Sequence, residues 1–231
     1  MARLFTEQFA FSKGDSVVVI GLGRFGGAVA NSLMQLGHDV MGIDRDPEPV
    51  HEWADLLTHA VQADSTNAMT MRQLGVADFS HAIVGIGGDL AASLMTVMAL
   101  TELGTPDIWL KAMTPEHGKI AERIGAHHVV YPEADMGERV AHLISGRMMD
   151  YIEFDDGFAI AKIQAPPATH DLSLAESLVR ERFGVTVVGI KRAHEDFQHG
   201  KPSSVVLPGD LLIVSGPTKK VEVFAASGRK R

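Results

Sequence analysis

Short β-branched apolar runs alternate along the first 130 residues with longer segments whose apolar positions recur every third or fourth residue. Residues 17–20, Val-Val-Val-Ile, read as a strand buried on both faces, because such a run bounded by glycines has no polar side to show solvent. A helix is predicted from the glycines that follow to about Leu36, packing through Val29, Leu33, Met34 and Leu36, with Gly37 at the place of a left-handed C-cap. Residues 38–43 give a second strand ending at Asp44. The unit recurs as helix 47–57, strand 59–62, short helix 67–74, strand 82–86, helix 90–103, strand 108–111, helix 115–124 and strand 128–131. Thr114 is the expected N-cap of the 115–124 helix, with Pro115 at its first position. Six strands alternating with helices predict an α/β fold, a Rossmann-like doubly wound parallel sheet.

Residues 135–149 keep helical spacing through Met136, Val140, Leu143, Ile144 and Met148, yet no strand follows to complete a crossover. This helix either closes the edge of the sheet or leaves its own domain and packs on a partner subunit. Beyond Asp150 the pattern changes to hairpins: residues 151–154 and 158–163 alternate around Asp155-Asp156-Gly157, which has turn chemistry. A helix over 174–183 stops at Gly184, and strands follow at 185–191 and 210–214, the latter after the Pro208-Gly209 turn. A chain of 231 residues accommodates a standard domain plus a small one. The expected organisation is 15–134 as the Rossmann-like domain, 135–150 as a crossover helix, and 151–226 as a second, smaller α+β domain. Residues 1–13, with Phe5, Phe9 and Phe11, read as a short extension, and 228–231 as a frayed tail.

Charge narrows the partners. The formal net charge is -8, with 21 Lys+Arg against 29 Asp+Glu and no basic stripe, which argues against a nucleic-acid polymer. Cysteine is absent, excluding disulfides, thiolate chemistry and Cys-ligated zinc together and fitting a cytoplasmic setting. The longest nearly uninterrupted apolar run, 91–100, falls short of the ~18–20 residues that span a bilayer, so a soluble protein is expected.

The candidate chemistry starts at Gly21-Leu22-Gly23-Arg24-Phe25-Gly26, a complete G-x-G-x-x-G between a strand and a helix. Gly21 allows the tight turn, Gly23 lets backbone N–H groups approach a phosphate, and Gly26 lets the helix pack on the strand. Asp44, 23 positions after Gly21 at the end of the second strand, is placed to accept hydrogen bonds from a ribose diol and to repel a 2′-phosphate; alternatively it only opens the turn at Arg45-Asp46-Pro47. Asp64, Ser65 and Thr66 end the third strand, either near an adenosine or as N-caps of the next helix. Gly85-Ile86-Gly87-Gly88 is a second glycine turn at the same edge. Arg24 brings a forked cation toward the phosphates or toward those of a neighbouring molecule, unless it is merely solvated.

Redox catalysis finds little support. A dehydrogenase needs an acid or base beside the carbon that exchanges hydride, and the candidates are turn acids, Asp155 and Asp156, or loop histidines, His170, His194 and His199. None of the 11 histidines forms an H-x-x-x-H or H-E-x-x-H pair, and a Walker-A loop is missing. A non-enzymatic protein is expected.

The segments GLGRFGG, MGID, IWLKA and YPEADMG, followed by VRERFGVTVVGIKR and LPGDLLIVSG, resemble the RCK (KTN, TrkA-type) regulators of potassium conductance, over about residues 16–224. The resemblance implies a cytosolic regulatory subunit, peripheral at the inner face of the membrane, whose dimers assemble into an octameric ring under a KtrB-like potassium channel subunit. It implies ATP or ADP in the crevice, with NAD(H) as the other candidate ligand. Carried over by motif, Arg24 of GRFG, with Phe25 beside it, would reach the γ-phosphate bound to the neighbouring subunit. Asp44 would take the ribose, Asp64 to Thr66 and Gly87 would lie along the nucleotide, and Lys111 of WLKA would lie near it. Glu133 of PEADMG would sit by the phosphates with Na+ or Mg2+ between. Ala91 stands where relatives often have glutamine. The small domain resembles modules that bind cyclic di-AMP between two subunits; Arg180 would be its phosphate contact, with Thr186 in place of an asparagine. The other functions left open are regulation of a different cation transporter or antiporter, and an NAD-dependent oxidoreductase.

Overall fold

Val17, Val18 and Val19 are wholly buried, because the strand that holds them, β1 (Ser16–Ile20), is covered on both faces. The computed structural model describes residues 15–144, 149–154 and 157–227, without the side chains of 142 and 143. The expectations for 1–13, for Asp155-Asp156, for 228–231 and for the Leu143 and Met148 end of the helical stripe lie outside these. The chain divides into two units between Glu133 and Ala134.

In the first unit β1 pairs with β2 (Asp39–Asp44), which pairs with β3 (His59–Gln62); on its other side lie β4 (His81–Val84), β5 (Asp107–Lys111) and β6 (His128–Val130). All pairings are parallel, in the order β3-β2-β1-β4-β5-β6. The intervening helices are α1 (Arg24–Leu36), α2 (Pro47–Trp53), α3 (Ala68–Gln73), α4 (Leu90–Glu102) and α5 (Pro115–Arg123), and α6 (Pro132–Ile144) follows the last strand. Val18, Ile20, Ile43, Val84 and Leu110 pack with Val97 and Leu100 of α4. Val17, Val19 and Val40 pack on the opposite face with Ala30 of α1 and Leu57. The strand order reverses between β1 and β4, which opens a crevice at their carboxyl ends.

Local signals set the helix ends. Gly37 terminates α1 at φ 87°, accessible to glycine without strain. The Thr114 hydroxyl accepts from His117 N at 3.2 Å ahead of Pro115.

The amino end of the same sheet is closed by a polar cluster built on the first residues of β4, β5 and β6. The Asp107 carboxylate accepts from Trp109 Nε1 at 2.8 Å, His81 Nδ1 at 2.9 Å and His128 Nε2 at 3.1 Å. Trp109 stacks on the His128 ring at 4.1 Å between centroids. A buried carboxylate is tolerable here because three donors replace its water.

The second unit carries β7 (Asp150–Phe154), β8 (Phe158–Gln164), β9 (Leu172–Ser173), β10 (Thr186–Lys191), β11 (Gln198–His199), β12 (Val205–Val206) and β13 (Leu211–Pro217). Its antiparallel sheet runs β11-β10-β13-β8-β7, with β12-β9 as a separate ribbon. Helices α7 (Leu174–Ser177), α8 (Val179–Phe183) and α9 (Thr218–Ala226) complete it, and Val221 and Phe224 of α9 are buried in its core. Arg192 holds the buried Asp210 through two hydrogen bonds of 2.9 Å. The single helix expected over 174–183 is two pieces, since Leu178 turns left-handed at φ 49° between them; Gly184 ends the second at φ 67°. A bulge between Val187 and Gly189 leaves Val188 without a partner position on β13.

Candidate functional site

The crevice is a cavity of about 580 Å3, within the ~300–1,000 Å3 of ligand-sized clefts. Gly21 adopts φ 89°, and its N–H donates to Ile43 O at 2.7 Å, stitching the loop to β2. A Cβ on Gly26 would lie 1.8 Å from Gly21 O, so only glycine lets α1 rest on the turn. Gly23 has open space around it and caps α1 without a side chain, leaving the first amides of the helix for another acceptor. Gly21, Gly23 and Gly87 line the cavity; Gly26 lies behind the turn.

Four acids, Asp44, Asp46, Asp64 and Asp89, also line the cavity. Asp44 lines the cavity with its oxygens already in use: Oδ2 accepts from Leu22 N at 2.7 Å and Oδ1 from Asp46 N at 3.0 Å. The turn role is the one observed, and a carboxylate with about four lone-pair sites keeps two beyond these bonds. Asp64 Oδ1 accepts from Thr66 N at 3.0 Å and Thr66 Oγ1 at 2.7 Å, and these bonds hold its carboxyl below the usual range. Asp64, Ser65 and Thr66 do not cap the next helix: Asn67 does, its Oδ1 accepting from Met69 N and Thr70 N. Ser65 faces the cavity but spends its hydroxyl on Thr96 Oγ1 at 2.8 Å.

Four of the expected residues gather beside the cavity without lining it. Lys111 Nζ lies 2.5 Å from Glu133 Oε1 and 5.8 Å from the centre of the Phe25 ring, and a Cβ on Gly87 would come within 3.1 Å of the same ammonium. The Lys111 hydrogen bond, with the charge of Arg24 as a smaller contribution, lowers the Glu133 carboxyl below its ordinary value. Lys111 is 12% exposed on its side chain, Glu133 68%, so the lysine is fixed and the carboxylate is turned outward. Arg24 is exposed at the first position of α1. As a cation seat this cluster offers one carboxylate, and no group of three or more His, Cys, Asp or Glu among the described residues is arranged to hold a metal. A cation at Glu133 therefore fits only where phosphate and water supply the remaining oxygens, as Mg2+ commonly allows.

Residues missed from the pattern also line the cavity: Arg45, Asp46, Asp89, Ala92 and Met95, together with Ala91 and with Ile86 of the second glycine turn. Asp89 was findable, as an acid between a glycine turn and a helix; its Oδ1 caps α4 by accepting from Ala92 N at 2.9 Å. Arg45 Nη1 reaches Asp89 Oδ2 at 3.5 Å. In the second unit Arg180 Nη2 donates to Thr186 Oγ1 at 3.1 Å.

The TrkA-N domain family matches residues 17–132 and the TrkA-C domain family residues 158–227. A Rossmann-like unit carrying the first signature and a small α+β unit carrying the second define a TrkA-type two-domain protein. Ktr system potassium uptake protein C of Bacillus subtilis (strain 168) is 37% identical over 207 residues, 89% of this chain and 94% of that one. Ktr system potassium uptake protein A of the same organism is 34% identical over 229 residues, 99% of this chain and 100% of that one. The chain belongs to this family of TrkA-type (RCK/KTN) proteins that includes the Ktr system potassium uptake proteins A and C. Among solved structures, GsuK bound to ADP is 26% identical with a TM-score of 0.50, over 58% of this chain and 35% of that one. No described helix is long and apolar enough to cross a membrane.

Proposed function

We propose that this chain is a cytosolic nucleotide-sensing regulatory subunit that gates a KtrB-like membrane potassium channel, with ATP and ADP as the competing ligands. The observation that carries the reading is the polarity of the crevice: bare helix amides and Asp44, Asp46, Asp64 and Asp89 in its wall, with Lys111 and Arg24 beside it. A molecule with a polyphosphate tail and a neutral hydroxyl-bearing head matches that polarity. The potassium uptake relatives and the ADP-bound GsuK support it.

On this reading 15–134 holds the nucleotide, residues 135–150 form the dimerisation helix, 151–226 is the C-terminal module, and the dimers build an octameric ring. Asp44 takes the ribose hydroxyls with its remaining lone pairs, and Lys111 neutralises the phosphates. Glu133 holds Na+ or Mg2+ against phosphate oxygens. Arg24, exposed on its own subunit, reaches the γ-phosphate bound next door, a contact that ADP leaves unmade. Only such a difference shifts an equilibrium, and roughly 1–3 kcal/mol per site suffices to bias a ring of several subunits. Cyclic di-AMP, bound between two C-terminal modules through Arg180, is a second input.

The test compares ATP and ADP affinities of the native protein and Arg24→Ala by titration calorimetry. A loss confined largely to ATP is expected. Equal losses for both nucleotides would remove Arg24 as the sensor of the γ-phosphate.

A further inference from the structure

Among the described residues that line the cavity the one Lys or Arg is Arg45, whose Nε lies 3.9 Å from Asp46 Oδ1 while its Nη1 reaches Asp89. Its backbone is fixed: Arg45 O accepts from Gln62 Nε2 at 3.1 Å, and the next amide, Asp46 N, is held by Asp44. Its side chain is 65% exposed and extends from the end of β2 to Asp89 at the start of α4. Asp89 is fixed in turn, because capping α4 occupies Oδ1 and leaves Oδ2 for the guanidinium. Both residues line the cavity. An ion pair this exposed is weak and exchangeable, so it bridges two rigid supports with a movable link.

We propose that the Arg45–Asp89 pair is a strap across the mouth of the cleft, which swings aside for the nucleoside end of a ligand and closes over it. The proposal rests on the reading of the crevice as a nucleotide site. With the pair closed, the guanidinium lies flat on the exposed face of the base, a contact that depends on its planar delocalised charge. Asp44, Asp46 and Asp64 crowd the same lip, so a further phosphate on the ribose meets more negative than positive charge. The lip thereby disfavours nucleotides that carry a further phosphate on the ribose.

The sign of a rate change separates a strap from a simple attractive charge. ADP binding to the full-length protein is followed by surface plasmon resonance at several NaCl concentrations, for the native chain, Arg45→Ala and Asp89→Asn. Asparagine remains a good N-cap, so α4 is preserved in the second variant. A strap predicts that Arg45→Ala accelerates association even though the site becomes more negative, and raises the dissociation rate by about three- to ten-fold. Asp89→Asn is expected to raise both rates together and leave Kd within about two-fold. Slower association in Arg45→Ala, fading with salt, would reduce Arg45 to a steering charge and overturn the strap; unchanged rates in both variants would overturn it as well. A third arm measures 2′-phospho-ADP-ribose against ADP-ribose: weaker binding of the phosphorylated ligand is expected, and tighter binding that collapses in Arg45→Ala would instead make Arg45 a ribose-phosphate receptor. If the native protein binds none of these ligands, the nucleotide reading itself fails, an outcome distinct from native binding with unaltered variants.

Discussion

The two ends of the parallel sheet use charge in opposite ways. At the amino end, Asp107 is buried and its oxygens are taken by Trp109, His81 and His128. At the carboxyl end Asp44, Asp64, Asp89 and Lys111 make hydrogen bonds too, but each stands at the wall or the side of a cavity with capacity left over. A polar group whose partners are complete supports the fold, while one partly satisfied by its own backbone is held in position for something else. Counting acids does not separate the two ends; counting unused lone pairs does.

The sharpest way to break this contrast is at the glycine turn. Gly26→Ala is expected to cost about 3 kcal/mol or more, because the new methyl meets a backbone oxygen that has no room to retreat. Gly23→Ala, in open space, should stay within roughly 1 kcal/mol. Urea denaturation of the pair checks this, and equal stabilities would mean the turn adjusts freely. At the opposite end, Asp107→Ala is expected to cost roughly 2 kcal/mol by stranding the buried donor of His81 and the half-buried one of Trp109; ligand affinity should be unchanged. A cost near zero would show that water enters the amino end easily.

Lys111→Met should change stability by less than ~1 kcal/mol, since Glu133 is mostly solvated. It should also return the Glu133 carboxyl toward its ordinary value, readable by NMR titration. A Glu133 that still titrates low would put the cause elsewhere. The smallest effect concerns acid. The folded pKa of Asp64 lies below that of the unfolded chain, so its contribution is present above the ordinary carboxylate range and is lost as pH falls through the lowered value. Thr66→Val removes the larger of the two hydrogen bonds responsible and should flatten that part of the acid limb; an unaltered Asp64 titration would contradict it.

Much of this was legible in the residues. The six parallel strands follow from β-branched runs between glycines, and the Asp44 position follows from the spacing after Gly21. Chain direction alone then brings Gly21, Asp44, Asp64 and Gly87 to one edge. What the pattern missed depended on contacts distant in sequence or on rare backbone states. Leu178 interrupts the helix expected over 174–183 in a conformation that leucine seldom adopts. Asn67, rather than its three polar predecessors, caps α3 because Asp64 and Thr66 satisfy one another first. Arg45 and Asp89 lie 44 positions apart, and nothing local marks them as partners. The Asp107 cluster was equally silent, since its members come from the starts of three separate strands, with Trp109 two residues into β5.

The irregularity in β10 has a consequence for how the gene can change. Val187 faces Val214 and Gly189 faces Ile213, so Val188 is a surplus residue between two consecutive rungs. Losing one codon inside a strand ordinarily turns every later side chain to the wrong side. Here loss of the Val188 codon would keep the remaining pairs in register while removing the hydrogen bond from Gly200 N to Val188 O. This strand thus contains a position where the reading can be shortened by three bases and the inside of the domain still stays inside.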